Sequence, residues 1–228
     1  MAGDTLTAWL KRFVPEPMAM SHGERVRAGL GIVIGLGLTG VVCSLWTGNV
    51  LTAPLLIAPM GASAILMFAV PASPLAQPWS VVGGHLVSAV VGVTAAQWLH
   101  PPLAAAAIAV MAAMLAMSAL RCLHPPSGAI AMIAVLGGPK ILATGYGFVL
   151  VPVLLNSLVL TAAALVYNNL TGRSYPHQAH PQPAKPVVVL AHDDLAAALS
   201  AYGEALDISR ADLDALFQDL TLRAKSHK

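Results

Sequence analysis

Between residues 28 and 120 the chain contains no Asp, Glu, Lys or Arg. No carboxylate occurs between Glu24 and Asp193, and Arg121 and Lys140 are the only formal charges between Arg27 and Arg173. A water-soluble domain turns charged side chains to solvent along every helix and has no use for such a run, whereas lipid-facing helices require it. With 57% hydrophobic and 10% charged residues, the composition is that of a membrane domain. The net charge of +2 is too small a field to gather nucleic acid. The bilayer is the expected partner, and no nucleic acid is.

Apolar length and Pro/Gly punctuation divide the run. Full spans are expected at about residues 28–45, 79–98, 102–120 and 145–167. Trp79 and Trp98 are 19 residues apart, roughly 28 Å at the helical rise, which suits an interfacial anchor at each end. Gly31, Gly35 and Thr39 form one stripe of small residues, and Gly84, Ser88, Gly92 and Ala96 another. Such stripes let helices approach closely and also admit a homo-oligomer. Cys43 and Cys122 read as small core residues, with no metal-ligand spacing.

Two segments break the pattern. One, at about residues 52–70, has Pro54 and Pro59 in its first half, so its helix is expected to start near Pro59. The other follows Arg121-Cys122-Leu123-His124-Pro125-Pro126-Ser127-Gly128-Ala129 and forms a short apolar helix over residues 127–136. Ionisable groups at membrane depth are costly and mark a functional site by default. Pro59-Met60-Gly61-Ala62 is echoed by Pro126-Ser127-Gly128-Ala129, 67 residues later, each between two full spans. The fold expected is all-α: a polytopic membrane bundle of about six helices, two of them short and Pro/Gly-broken, in two three-helix repeats. Paired interrupted helices at matching places point to a binding site between transporter repeats.

The ends differ in character. Residues 1–27 read as a cytoplasmic lead-in and residues 28–172 as the transmembrane domain. Residues 173–192 read as a Pro-rich linker and residues 193–228 as a small cytoplasmic helical hairpin. Arg25, Arg27 and Arg173 put both termini inside. Six crossings place Arg121 inside and Lys140 outside; four crossings with two re-entrant segments place Arg121 outside. The positive-inside pattern favours six, in a bacterial inner membrane.

Helix N-termini carry partial positive charge and unpaired N–H groups, so two of them meeting at mid-membrane make an anion site. The candidate site is His124, Pro125, Pro126, Ser127 and Gly128 on one break and Pro59, Gly61 and Ser63 on the other, with His85, Asn156 and Arg121 near them. Several of these have plain structural readings. His124 can cap backbone carbonyls, His85 and Asn156 can join helices, and Arg121 can be a topology signal. Without membrane carboxylates, a small anion fits better than a metal cation. A neutral or larger solute, or a non-transporting scaffold, remains the alternative. An intramembrane enzyme using His85 and His124 lacks a carboxylate partner and a nucleophile, so no catalytic residue, metal or cofactor is expected.

Leu123-His124-Pro125-Pro126-Ser127-Gly128-Ala129 resembles the signature of the HPP family of integral membrane proteins. Ala58-Pro59-Met60-Gly61-Ala62-Ser63 and Gly84-His85-Leu86-Val87-Ser88-Ala89 are similar to further motifs of that family. The resemblance covers about residues 25–172. It implies nitrite transport, an activity associated with family members in cyanobacteria and plastids. Bacterial members of the family often continue into paired CBS domains after a helical segment similar to residues 193–224.

Overall fold

The computed structural model describes residues 9–10, 13, 20–47, 56–177, 213–218 and 220. Two compact units are present: residues 22–179, and residues 1–21 together with 180–228. In the second unit, Trp9 and Leu10 are helical, the Trp9 and Phe13 rings meet edge-on at 4.6 Å, and residues 213–218 are helical. The rest of the expected C-terminal hairpin, and most of the linker, lie outside the described residues.

The first unit is a bundle of α1 (His22–Thr47), α2 (Pro59–Ala69), α3 (Pro78–Trp98), α4 (Pro102–Ala119), α5 (Ser127–Leu136), α6 (Pro139–Thr144) and α7 (Leu155–Leu170). Among the described residues all regular structure is helical. Proline opens α2, α3, α4 and α6 at a first-turn position, where its missing N–H costs nothing. Four stretches are long and apolar enough to cross a membrane: His22–Trp46, Pro78–Trp98, Pro102–Ala119 and Val149–Leu170. With 11 and 10 residues, α2 and α5 reach only about 15 Å each.

Three expectations need correction. The first helix begins at His22 rather than near residue 28, because Glu24 and Arg27, three residues apart, pair across a helical turn instead of marking a flank. The last span is broken: Val151 leaves helical geometry at φ −133°, ψ 114°, before Pro152, and α6 precedes the break. The expected linker does not start at residue 173. Arg173 binds Glu24 at 2.7 Å, and buried Tyr175 donates to the carbonyl of Ala76 at 2.5 Å.

Hydrogen bonds fix the direction of each helix. At one end, Arg27 near the start of α1 reaches the Phe68 carbonyl at the close of α2 and Asn168 near the close of α7. Trp79, opening α3, donates to the Leu120 carbonyl just past α4. At the other end, Thr94 of α3 meets Tyr146 ahead of α7. A side chain at Gly84 would strike Ser127 and one at Gly92 would strike Ala131, so α5 runs parallel to α3. The chain thus reverses at every step through α1, α2, α3, α4, α5 and α7. Arg27, Arg121 and Arg173 gather at one end, and Lys140 on α6 sits at the other.

The packing is a pseudo-twofold exchange of α1-α2-α3 with α4-α5-α7. Helix α1 packs on α2 and α7, as α4 packs on α5 and α3. Helix α2 packs on α7 as α5 packs on α3, and α3 meets α7 in the centre. Because the directions alternate, the exchange is an inverted repeat. Its seams are the small-residue stripes. Positions 31 and 35 are filled to contact by Phe68, Tyr167 and Leu160, and position 92 by Ala131 and Ala134.

A methyl at Gly84 meets the Cys122 carbonyl at 2.8 Å, and backbone cannot yield as a side-chain tip can. Gly84→Ala is expected to destabilise the bundle by about 1–3 kcal/mol in detergent unfolding, while Gly37→Ala, with nothing within 4 Å, is expected to leave it unchanged. With Cys43 and Cys122 replaced, cysteines introduced at Arg121 and Ser174 are expected to label from one face of a vesicle and one at Lys140 from the other. Labelling of Arg121→Cys and Lys140→Cys from the same face would refute the six-pass order.

Candidate functional site

Two loops deliver the site. After α4 the chain turns through Arg121 at φ +55°, with the Cys122 N–H returning to the Met117 carbonyl at 2.9 Å. This left-handed residue closes the helix as a C-terminal cap. Pro125 and Pro126 then stop further N–H pairing, and Pro126, already helical at φ −56°, ψ −23°, launches α5. The His124 side chain is thereby carried inward to full burial. The other loop, between α2 and α3, contains the 3-10 turn Pro74–Ala76 and brings the Leu75 carbonyl to His124.

The result is a file of buried polar groups. His124 Nδ1 lies 2.7 Å from the Leu75 carbonyl and its Nε2 lies 2.8 Å from Ser63 Oγ. Ser63 Oγ is 3.0 Å from His85 Nε2, and His85 Nδ1 is 2.7 Å from Ser157 Oγ. Ser157 donates to the Val153 carbonyl on its own helix at 2.7 Å. The two imidazoles meet edge-on at 4.9 Å. His85, His124, Ser63 and Ser157 are all 0% exposed. The file ties α2, α3 and α7 to the loop ahead of α5, so it joins the two repeats at their shared axis.

Beside it lies Ser127, also 0% exposed, whose hydroxyl has no hydrogen-bond partner. Its Oγ, the Cys122 carbonyl and His124 Cβ all converge on Gly84, within 3.0 Å of where a side chain there would begin. Only glycine lets these groups come together. A buried donor without an acceptor is costly, and it is the feature a ligand acceptor would relieve.

The expected arrangement of paired helix ends does not occur. The first N–H groups of both short helices close tight turns on their own chain: Met60 on Ile57, Gly61 on Ala58, Ser127 on His124, Gly128 on Pro125 and Ala129 on Pro126. The breaks meet instead through Ser63 and His124. Pro59 and half-buried Gly61, Pro126 and Gly128 shape the turns, and Pro125 is exposed. Arg121 is exposed at the bundle end, away from the file. Asn156 is buried but serves the helix break, donating to the Pro152 carbonyl at 2.7 Å and to Cys43 Sγ at 3.4 Å. Sequence reading missed Ser157, whose only signal was a second polar residue beside Asn156 in an apolar helix.

Among the described residues no three His, Cys, Asp or Glu side chains converge as metal ligands. A cavity of about 170 Å³ lies at the Lys140 end, lined by Val93, Ala96, Gln97, Ala134, Ile141, Leu142 and Gly145. It does not reach the histidines: Gly92 pressed on Ala131 lies between.

Comparison with known proteins agrees with this architecture. The family model "HPP, transmembrane region" matches residues 17–176. A transmembrane protein of Dictyostelium discoideum is 42% identical over 126 residues, covering 53% of this chain and 44% of that protein. A second transmembrane protein of the same organism is 39% identical over 126 residues, covering 53% of this chain and 40% of its own length. The matched region thus spans less than half of either relative. No solved structure gives a significant match. The chain is a multi-pass membrane protein and belongs to the HPP transmembrane family.

Proposed function

We propose that the protein transports a small monovalent anion, with nitrite the foremost candidate, and that the anion is bound at Ser127 beside His124. One observation carries this reading: the hydroxyl of Ser127, fully buried and without a hydrogen-bond partner, in the core beside the loop that carries His124, where no carboxylate lies. Donors without matching acceptors favour an anion over a cation. The inverted repeat supports it, since interrupted helices meeting at a repeat axis are where secondary transporters bind substrate. The cavity at the Lys140 end supplies a vestibule on one side, with the Gly92–Ala131 contact as the barrier that must part for passage. Nitrite itself comes from the family resemblance, and nitrate, formate and chloride are the competing small anions.

Flux of these four anions into proteoliposomes tests the reading. Saturable nitrite uptake is expected, and His124→Ala is expected to abolish most of it. No flux of any of them would overturn the proposal. Ser127→Ala separates a binding role from a structural one. Removing an unsatisfied buried hydroxyl leaves stability unchanged or raised, so the variant is expected to melt no lower than the native protein. Its KM for nitrite is expected to rise on the order of tenfold, the worth of one hydrogen bond to a charged group. A lower melting temperature with unaltered KM would make Ser127 a packing residue only.

A further inference from the structure

The polar file contains fewer hydrogens than it has contacts. It runs from the Leu75 carbonyl through His124, Ser63, His85 and Ser157 to the Val153 carbonyl, five contacts of 2.7, 2.8, 3.0, 2.7 and 2.7 Å. Each contact needs one hydrogen. The carbonyl at either end brings none, while each neutral imidazole and each hydroxyl brings one. Four hydrogens therefore serve five contacts, and the longer 3.1 Å contact from Ser63 to the Pro59 carbonyl only adds a further acceptor.

The deficit can be moved but not removed. The Leu75 carbonyl can only accept, so His124 donates from Nδ1, and a neutral ring then offers a lone pair at Nε2. Ser63 donates to that lone pair, His85 donates from Nε2 to Ser63, and Ser157 donates to His85 Nδ1. The Val153 carbonyl then faces an oxygen with no hydrogen left. Filled from the other end, Ser157 donates to Val153, His85 donates from Nδ1 to Ser157, and Ser63 donates to His85. The gap now falls between Ser63 and His124 Nε2. One added proton, taken from water on one side of the membrane and placed on His124 Nε2, completes all five contacts with His124 as imidazolium.

That proton arrives as an uncompensated charge. The other buried polar side chains on the packed helices, Glu24 apart, are Thr39 and Ser44 of α1, Ser80 and Ser88 of α3, Ser127 of α5, and Asn156, Thr161 and Asn168 of α7; none of these carries charge. Ser73, ahead of the Leu75 turn, is likewise neutral, and α4 contributes Met117, which accepts from Ser88. Glu24, Arg27 and Arg173 are bound to one another at the bundle end, and Arg121 is exposed there. Burying a lone cation among such groups is costly. A small anion at Ser127 supplies the missing countercharge.

Resting on the transport reading above, we infer that the file Ser157–His85–Ser63–His124 is a proton site filled together with the anion site, so that one proton and one anion bind and cross as a neutral pair. Linkage makes the coupling reciprocal: the anion draws the proton in, and the proton tightens anion binding.

Calorimetric titration of the full chain in nanodiscs with nitrite at pH 7, in buffers of different ionisation enthalpy, reads the proton count directly. Uptake close to one proton per nitrite is expected. Ser157→Ala deletes one hydrogen and two contacts, leaving three hydrogens for three contacts, none of which needs an extra proton to be completed. Its proton uptake is expected to vanish and its nitrite affinity to fall on the order of tenfold, while Ser157→Thr, which keeps the hydroxyl, is expected to retain both. Nitrite binding without proton uptake in the native protein, or undiminished uptake in Ser157→Ala, would overturn the inference and leave anion transport standing. Nitrite that neither binds nor crosses the liposome membrane would overturn both.

Discussion

Inside a bilayer every backbone polar group has to find its partner within the protein, and this bundle interrupts its helices at Pro59, Pro126 and Pro152. Most of its buried polar side chains answer that requirement. Asn168 takes up the Met67 carbonyl and Arg27 the Phe68 carbonyl, both at the closing turn of α2. Asn156 bridges the Pro152 carbonyl and the Ile57 N–H ahead of α2. Beyond these duties stand the two histidines with Ser63 and Ser157, and two buried hydroxyls without a partner, Ser127 and Thr161. The proposal above places function at this set, whose bonds also join the two repeats. His124 belongs to both groups, since its Nδ1 serves the Leu75 carbonyl and fixes the tautomer that the other ring nitrogen presents.

The two repeats share a scaffold but not their chemistry. Pro59-Met60-Gly61-Ala62-Ser63 aligns with Pro126-Ser127-Gly128-Ala129-Ile130, so the partner position of Ser63 is Ile130 and that of Ser127 is Met60. Both apolar counterparts are fully buried in the core. The inverted scaffold therefore supplies two similar backbones at one axis, while a hydroxyl at a different helical position on each makes the site one-sided. Ser63 faces the histidines, and Ser127 packs against Gly84.

Much of this was legible in the sequence, for a physical reason. Apolar length and Pro/Gly punctuation dictate where membrane helices start and stop, so α2 through α5 fall within a residue or so of expectation. The repeat followed from the same punctuation. Misreadings arose where one residue type serves two purposes. Arg25 and Arg27 looked like flanking charges, yet Arg27 lies inside α1 and holds Glu24 (9% exposed) beside Arg173. The last span, expected as one helix, is kinked at Val151, ahead of Pro152. Arg121 and Asn156 had the right chemistry for a site; Arg121 is exposed at the bundle end and Asn156 donates to the Pro152 carbonyl. Ser157 was silent because a helical serine returning its hydroxyl to the carbonyl four residues back looks like any other serine. Only the third dimension shows that the same oxygen meets His85.

The choice of imidazole over carboxylate has a consequence for the transport cycle proposed above. A buried carboxylate would leave the empty protein charged whenever its proton departed, and that charge would have to be stabilised at membrane depth. An imidazole pair is neutral when empty and gains positive charge only when an anion is present to offset it. Loaded and empty states then carry the same net charge in the core. Neither state does work against the membrane potential, about 2.3 kcal/mol per elementary charge per 100 mV, as the repeats rearrange. A singly loaded state, with anion or proton alone, does carry a buried charge and is held back by its electrostatic cost. In the proposed cycle, coupling of this kind would need no dedicated gate for each partner: without a fixed counter-ion among α2, α3, α5 and α7, each ion would have to wait for the other.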